Sequence, residues 1–390
     1  MPMRFLHTSD WHLGRRFHEA DLIDAQRDFL THVHDTARDQ QVDVILVAGD
    51  IYDRAIPSLD AVRLFNDVLN QFADLNLPII MISGNHDSAH RLGVGSRLLA
   101  RAGVHLRTDP ITACTTPVLL DDPHGTVAVY GLPYLEPSLA RTDLGADRTS
   151  HQAVVTAALD LVRADLATYP IGTRSVVLAH AFVTGAAPCD SERDINVGGI
   201  DHVTASAFDG IDYVALGHLH GAQDINDRIH YSGSPLAYSF SETGHTKTLT
   251  VVDLAGDGTV TLTRVPTPVP RALACLKGTF QDLLTNPAHE HLTGSWLQVT
   301  LTDADLPYEP MARLRRRFPH TMHLLHQRPD NPEQSDGPTY TERLEGRTDL
   351  EIACDFVKKV RGTDPNPTEH DLLRQAVEAS RIRSMQEEIV

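Results

Sequence analysis

The chain has 390 residues, of which 41% are hydrophobic, and it carries a formal net charge of −18 at pH 7. This length predicts more than one domain, and no apolar run reaches the roughly 18 residues that a membrane span needs. The acidic charge excludes a nucleic-acid binder that works by bulk attraction, but it does not exclude local positive charge. The N-terminus passes straight into a predicted strand and the cysteines are widely spaced. We therefore expect no signal peptide, reduced thiols and a cytoplasmic location.

Strands and helices alternate in the first part of the chain. Residues 3–8 predict a short strand, and a helix is expected over about 20–40. The apolar run Val44–Val47 is typical of a strand that is covered on both faces. A helix near 59–75 and a strand at 77–82 complete a βαβαβ pattern. This pattern predicts a parallel sheet, in which ligands bind beyond the carboxyl ends of the strands.

Polar side chains follow five of the predicted apolar strands where each one ends. Any one of them alone is more often a helix cap or a satisfied core residue, but five together indicate a shared site. The candidates are Asp10 and His12 after the first strand, Asp50 after the second, Asn85 after the third, His180 after the strand at 175–179, and His218 and His220 after the strand at 211–216.

These seven side chains offer oxygen and imidazole ligands without a thiolate. Such a set suits Mn²⁺, Fe or Zn²⁺ in an open site rather than a structural zinc cage. Seven ligands are too many for one ion, but a bridging carboxylate could share them between two. Two metals about 3.5–4 Å apart can bridge a phosphate and stabilise both the attacking and the leaving oxygen.

The second half of the chain no longer shows the alternation of strands and helices. Residues 231–264 read as antiparallel strands and turns, and 265–270, with three prolines, predict an extended linker. A small α+β module is expected over 271–326, with strands at 272–276 and 295–301 and a basic helix near 311–318. A polar stretch follows, and then two amphipathic helices over 350–360 and 368–383.

Five motifs carry a family resemblance: Asp10-x-His12, Gly49-Asp50-x-x-Asp53, Gly84-Asn85-His86-Asp87, His180 and Gly217-His218-x-His220. They resemble the motifs of the calcineurin-like metallophosphoesterases. The amino-acid sequences of His7–Gly14 and Tyr231–Leu236 are similar to those of one branch of this family, the nuclease subunits of bacterial SbcCD complexes. The resemblance is strong over residues 1–264. It implies an α/β fold, a four-layer metallophosphoesterase β-sandwich flanked by helices, with a small α+β capping domain and C-terminal helices.

The resemblance also implies roles for these residues. One ion would be held by Asp10, His12, Asp50 and His220, and the other by Asp50, Asn85, His180 and His218. His86 would protonate the leaving oxygen, and the Asp53 carboxylate would pair with it and fix its tautomer. The implied cofactors are two divalent ions, Mn²⁺ first, with Mg²⁺, Fe or Zn²⁺ as alternatives. Asp87, in the same motif, could take part in the site, or it could cap or brace the turn.

Several other side chains have two interpretations. Arg15, Arg16 and Arg193 could contact DNA phosphates or belong to a solvated surface. The cationic cluster Arg313–Arg317 could likewise face DNA. Ser191 and Lys247 could line the rim of the site or lie in an exposed loop. Trp11 is expected to pack beneath the site.

The implied domains are a nuclease domain at 1–268, a capping domain at 269–327, a flexible linker at 328–347 and a helical segment at 348–390. The last would bind the coiled coil of the ATPase subunit SbcC, with two copies of this chain in a heterotetramer. The chain has no Gly-x-x-x-x-Gly-Lys-Ser/Thr motif, so ATP would act through that partner.

The function that the resemblance implies is Mn²⁺-dependent cleavage of DNA. The activities would be an ATP-dependent 3′→5′ double-strand exonuclease and a single-strand or hairpin endonuclease, acting in repair, recombination and replication. One alternative is a phosphoesterase for small molecules. Another is a catalytically silent scaffold in a repair complex.

Overall fold

The computed structural model describes residues 2–192, 202–328 and 347–389, with side chains omitted at 359 and from 381 onward. Arg193 and nearly all of the predicted linker at 328–347 therefore lie outside the described residues. The chain divides into two compact units, one with the described residues up to 327 and the other with the C-terminal helices. All four cysteines are free. Among the described residues, none of the helices combines the length and apolar character that a membrane crossing needs.

Seventeen strands and eleven α-helices are described. The strands are β1 Met3–Thr8, β2 Arg16–Phe17, β3 Ala20–Asp21, β4 Val44–Ala48, β5 Ile79–Ile82, β6 Val104–Arg107, β7 Val118–Asp122, β8 Gly125–Leu132, β9 Arg174–His180, β10 Tyr213–Gly217, β11 Gln223–Asp224, β12 Ile229–Tyr231, β13 Thr248–Leu254, β14 Val260–Pro266, β15 Leu273–Gly278, β16 Trp296–Leu301 and β17 Thr321–His326. The helices are α1 Ile23–Asp39, α2 Leu59–Ala73, α3 Ala89–Leu92, α4 Ser96–Leu99, α5 Pro110–Thr115, α6 Pro137–Leu144, α7 His151–Leu166, α8 Phe280–Thr285, α9 Pro310–Arg317, α10 Asp349–Arg361 and α11 Pro367–Ile389.

Two six-stranded sheets form the centre of the first unit. One has the order β14-β13-β1-β4-β5-β6 and the other β11-β12-β10-β9-β8-β7. The strands β1, β4, β5 and β6 are mutually parallel, as the βαβαβ pattern predicted. In the second sheet, β8, β9 and β10 are also parallel. Two sets of carboxyl ends are thus available to build one site.

The sheets pack face to face and helices cover their outer faces. Apolar side chains from both sheets, such as Leu46 and Leu178, form the buried layer between them. A second apolar cluster joins α1 and α2 to the outside of the first sheet through residues such as Phe29 and Leu64. A third joins α7 to the second sheet through residues such as Val154. The predicted four-layer α/β fold is confirmed.

The structure shifts two predicted boundaries. The first helix begins at Ile23 rather than near residue 20, because residues 16–21 form the small hairpin β2–β3. The proline-rich stretch at 265–270 is not wholly a linker, since Val265 and Pro266 still pair with β13 at the end of β14. The β14 strand lies at the edge of its sheet, where a proline is tolerated.

The module after residue 270 is a three-stranded parallel sheet, β15-β16-β17, packed on α8 and α9. The third strand was not predicted. The module contacts the larger part of its unit through Trp296, whose ring stacks on Phe17 with centroids 5.2 Å apart.

In the second unit, α10 and α11 are joined by a short turn. Thr348 and Glu351 form a capping box at the start of α10, and Gly362 ends that helix with a φ of 81°. Arg361 pairs with Glu369 across the turn. Phe356, Val360 and Leu372 expose 67%, 71% and 59% of their surface, so three apolar side chains of these helices are open to solvent.

Candidate metal centre

The seven candidate ligands meet where the carboxyl ends of the two sheets face each other. A direct link joins the sheets there, because His180 Nδ1, at the end of β9, donates to the Ala48 carbonyl at the end of β4 over 2.9 Å. The carbonyl can only accept, so this proton lies on Nδ1 and the Nε2 lone pair of His180 faces the site.

Three of the candidates form what we call the first ligand group: Asp10, His12 and His220. Their potential ligand atoms lie within 4.8 Å of one another. The Nε2 atoms of His12 and His220 are only 3.1 Å apart. All three residues are at most 1% exposed.

Three others form the second ligand group: Asn85, His180 and His218. The Asn85 Oδ1 atom lies 2.8 Å from His180 Nε2 and 3.2 Å from His218 Nδ1. An amide oxygen and two imidazole nitrogens thus converge on one point, and all three are recognised metal-binding atoms.

Asp50 lies between the two groups. Its Oδ2 atom is 3.5 Å from His12 Nε2 and also 3.5 Å from His180 Nε2. One carboxylate is therefore equidistant from a histidine of each group, as a bridging ligand would be. The Nε2 atoms of these two histidines and the carboxylate oxygen between them fit a pair of divalent ions.

The backbone is strained at this point of the fold. Four of the candidate ligands adopt positive φ angles, which residues other than glycine rarely do. Each such residue costs on the order of 1–3 kcal/mol and persists only where its surroundings impose it. The four are Asp10 at 53°, His12 at 44°, Asp50 at 48° and His218 at 103°.

Two motif glycines permit the close approach of these side chains. A Cβ atom at Gly49 would collide with the His180 ring, and one at Gly84 would collide with the Asp50 carboxylate. Gly49 also has a φ of 92°, which favours glycine.

Burial keeps the imidazoles neutral, which is the form that binds metal. It lowers the pKa of His220 to about 4 and lowers the pKa values of His12, His180 and His218 below the usual 6.5. Burial alone would raise the pKa of Asp50, but the pKa is lowered, because the carboxylate accepts the backbone N–H of His86. Burial and the nearby Asp50 charge raise the pKa of Asp10.

His86 lies beside the first ligand group, with its ring edge-on to His12 at 4.7 Å. Its Nδ1 donates over 2.8 Å to the backbone carbonyl of Asp53. The prediction that the Asp53 carboxylate would pair with His86 is therefore wrong, because the carbonyl occupies that position. The Asp53 carboxylate instead lies 3.7 Å from His12 Nδ1 and 3.7 Å from Arg15 Nε.

Asp87 braces the site rather than entering it. Its carboxylate accepts hydrogen bonds from the backbone nitrogens of Ile51, Tyr52 and Gly84 over 2.9–3.0 Å. It thereby ties the turn after β4 to the turn after β5. Burial and the Asp50 charge raise the pKa of Asp87 to about 7.

The predicted arginines differ in their surroundings. Arg15 is half-buried, donating over 2.7 Å to the Ser191 carbonyl and lying 4.8 Å over the Tyr238 ring. Arg16 is exposed and bonds the Glu19 carbonyl. In α9, Arg313 lies over the Phe280 ring and Arg317 donates to the Leu283 carbonyl. Two arginines of that helix therefore contact its own module.

Trp11 is fully buried and donates to Thr8 Oγ1, so it packs beneath the site as predicted. Ser191 and Lys247 are also buried, not exposed loop residues. Glu242, which contacts both, was missed. The spacing Ser239-x-x-Glu242, a capping box in the structure, was the signal that could have found it.

Two solved structures are similar in part. One, from Thermus thermophilus, is 12% identical and covers 68% of this chain and 99% of its own, with a TM-score of 0.40. The other, a dimetal phosphatase from Danio rerio, is 16% identical and covers 68% and 97%, also with a TM-score of 0.40.

Two family models match the sequence. Residues 3–222 match the calcineurin-like phosphoesterases, which is more than half of the chain. Residues 269–361 match the SbcD_C family, described as the type 5 capsule protein repressor C-terminal domain. This second match spans the small α+β module and α10. The chain therefore belongs to the calcineurin-like phosphoesterases, as a metal-dependent phosphodiesterase with the domain composition of an SbcD-type nuclease subunit.

Proposed function

We propose that this protein cleaves DNA phosphodiester bonds with two divalent metal ions, and that Mn²⁺ is the preferred metal. The observation that carries the proposal is the position of Asp50 Oδ2, 3.5 Å from a histidine of each ligand group. The first ion would be held by Asp50 and the first ligand group, and the second by Asp50 and the second ligand group. Two such ions would neutralise phosphate charge and supply a nucleophile at neutral pH.

His86 is proposed to act on the leaving oxygen. Its Nδ1 is committed to the Asp53 carbonyl, which leaves Nε2 for the substrate. The ring is half-buried next to His12, so a phosphate bound at the first ligand group would lie within its reach. A histidine can donate a proton there near neutral pH.

Arg15 is proposed as a DNA contact close to this site. Its guanidinium lies 4.8 Å over the Tyr238 ring and 3.7 Å from the Asp53 carboxylate, beside the first ligand group. One arginine there offers the local positive charge that an acidic chain needs. Arg16 and Arg193 remain proposed contacts without such support.

The partner is proposed to be SbcC, bound through α10 and α11. Short helices are marginal alone in water and gain stability by burying an apolar face. The exposure of Phe356, Val360 and Leu372 supports such a docking face. ATP would then act through SbcC to license 3′→5′ exonuclease and hairpin endonuclease activity in repair, recombination and replication.

A homodimer of this chain is also proposed. Exposed apolar residues occur near one another at the start of α2 and in α3–α4, where Arg91 bonds the Ala55 carbonyl. The apolar residues are Ile56, Leu59, Val62, Val94 and Leu98. With SbcC they would give a heterotetramer, and the domain boundaries 1–268, 269–327, 328–347 and 348–390 stand as proposed.

The test is incubation of the purified protein with a hairpin DNA and Mn²⁺, with and without SbcC and ATP. Cleavage that needs Mn²⁺ and is enhanced by SbcC supports the proposal. A small-molecule phosphoesterase would instead hydrolyse phosphomonoesters and leave DNA intact. A scaffold would cleave neither substrate while still binding SbcC.

A further inference from the structure

A buried chain of hydrogen bonds lies behind His220. The Nε2 atom of its ring faces the first ligand group, but Nδ1 points away and lies 2.7 Å from Ser191 Oγ. Ser191 Oγ in turn donates over 2.6 Å to Glu242 Oε1. The three residues are 1%, 7% and 1% exposed, so water does not compete for these bonds.

The direction of these bonds follows from their chemistry. An ionised carboxylate can only accept, so the Ser191 hydroxyl must donate its one proton to Glu242. Its oxygen can then only accept from His220, which requires the proton on Nδ1. In that tautomer the Nε2 lone pair is free and faces His12.

Glu242 is held in place and ionised by three further donors. The backbone nitrogens of Tyr238 and Ser239 donate to its Oε1 over 2.8 and 2.9 Å. Lys247 Nζ pairs with Oε2 and also donates to the His220 carbonyl over 2.9 Å. The carboxylate therefore cannot turn away from Ser191 without breaking several charge-assisted bonds.

We propose that Ser191 and Glu242 are positioning residues that hold His220 in the Nδ1-protonated tautomer and so prepare Nε2 for a divalent metal ion. The inference rests on the proposed function in taking His220 as a ligand. Partners of this kind fix the ring and raise the basicity of the ligand nitrogen, and their loss typically costs about 10–100-fold in metal affinity.

His220 and His180 differ in the group that accepts the Nδ1 proton. The Nδ1 proton of His180 is held by the backbone carbonyl of Ala48, which no side-chain substitution removes. The Ser191 hydroxyl can be deleted without touching the second ligand group. A change confined to the first ion is therefore expected.

The experiment compares Ser191→Ala with wild type by calorimetric Mn²⁺ titration and by ¹⁵N NMR of the metal-free histidine rings, with His220 assigned from His220→Gln. We expect Ser191→Ala to bind one of two Mn²⁺ ions about 10-fold more weakly, and His220 to populate both tautomers. Ser191→Thr, which keeps the hydroxyl, should restore both readouts. Ser241→Ala is the matched control, since its hydroxyl accepts from Asp190 N and has no described contact with His220.

Unchanged Mn²⁺ affinities and an unchanged tautomer in Ser191→Ala overturn the inference while leaving the proposed function intact. Wild-type protein that binds no Mn²⁺ overturns both. Equal weakening in Ser241→Ala also overturns the inference, because the effect would then belong to the loop and not to the bond with His220.

Discussion

At the scale of single residues, the site depends on one carboxylate shared by two ligand groups. Asp50 adopts a left-handed backbone conformation and accepts the backbone N–H of His86 over 2.8 Å through its other oxygen. Its Oδ2 atom is thereby left to face His12 and His180.

Replacing Asp50 with alanine should therefore remove both metal ions and abolish DNA cleavage. The reason is that each ion keeps only three of its four proposed ligands and loses the negative charge that the two ions share. Elemental analysis of the purified variant checks this, with the exposed Asp60→Ala as control. Two metals per chain in Asp50→Ala would contradict the bridging assignment.

Replacing His86 with alanine should leave both ions bound but slow cleavage by roughly 10²–10⁴-fold, the usual range for a missing general acid. The ring is held through Nδ1 by a backbone carbonyl, so its removal is expected to leave the ligands in place. Single-turnover rates and metal content on the same sample provide the measurement. Loss of metal would show that His86 is itself a ligand.

At the scale of elements, parallel strands from two sheets deliver the ligands to one edge, and the turns after them do the fine positioning. Asp87 holds two of these turns together through three backbone N–H groups. The C-terminal helices α10 and α11, in contrast, contribute no candidate ligand. The first of them, α10, is well capped, and Phe356, Val360 and Leu372 on the two helices are exposed.

Substituting Phe356→Asp or Leu372→Asp should abolish association with SbcC and leave metal content and DNA cleavage without SbcC unchanged. A charge on the docking face would have to be buried without a partner, which is costly. Co-purification measures association, and Glu378→Ala, on the exposed side of α11, is the control. Retained binding in both aspartate variants would retire the docking proposal.

At the scale of the whole molecule, buried histidines couple the stability of the metal-free protein to pH. Burial lowers the pKa of His7 to about 3 and that of His220 to about 4, from an ordinary value of 6.5. The unfolded chain therefore binds more protons over this interval. The stabilisation is fully present above pH 6.5 and is lost as the pH falls toward the folded pKa values.

His7→Gln should make this loss shallower between pH 6.5 and 4, by about 1.4 kcal/mol of unfolding free energy per pH unit, because one titrating group is gone. Urea denaturation across that range measures the slope. Replacement of the exposed His124 with glutamine should leave the slope at its wild-type value. A wild-type slope in His7→Gln would mean that the His7 ring does not cause the loss of stability at acid pH.

The sequence alone determined the strands that carry the candidate ligands, and those ligands themselves, because both are local. An apolar run such as Val44–Val47 is recognisable wherever it occurs, and each candidate ligand directly follows such a run. Parallel strands present their carboxyl ends on one edge, so spacing along the chain was enough to predict that those side chains would gather there.

Tertiary structure decided what stands behind the ligands. Ser191 and Glu242 are 51 positions apart, and their contact with His220 exists only once three loops have packed. The contact between His86 and Asp53 was also decided by packing. The backbone carbonyl of Asp53 bonds His86, in the position that sequence analysis assigned to the Asp53 carboxylate. Motif spacing encodes which side chains lie near the site, but hydrogen-bond partners depend on the orientation of every group that packing brings within about 3 Å.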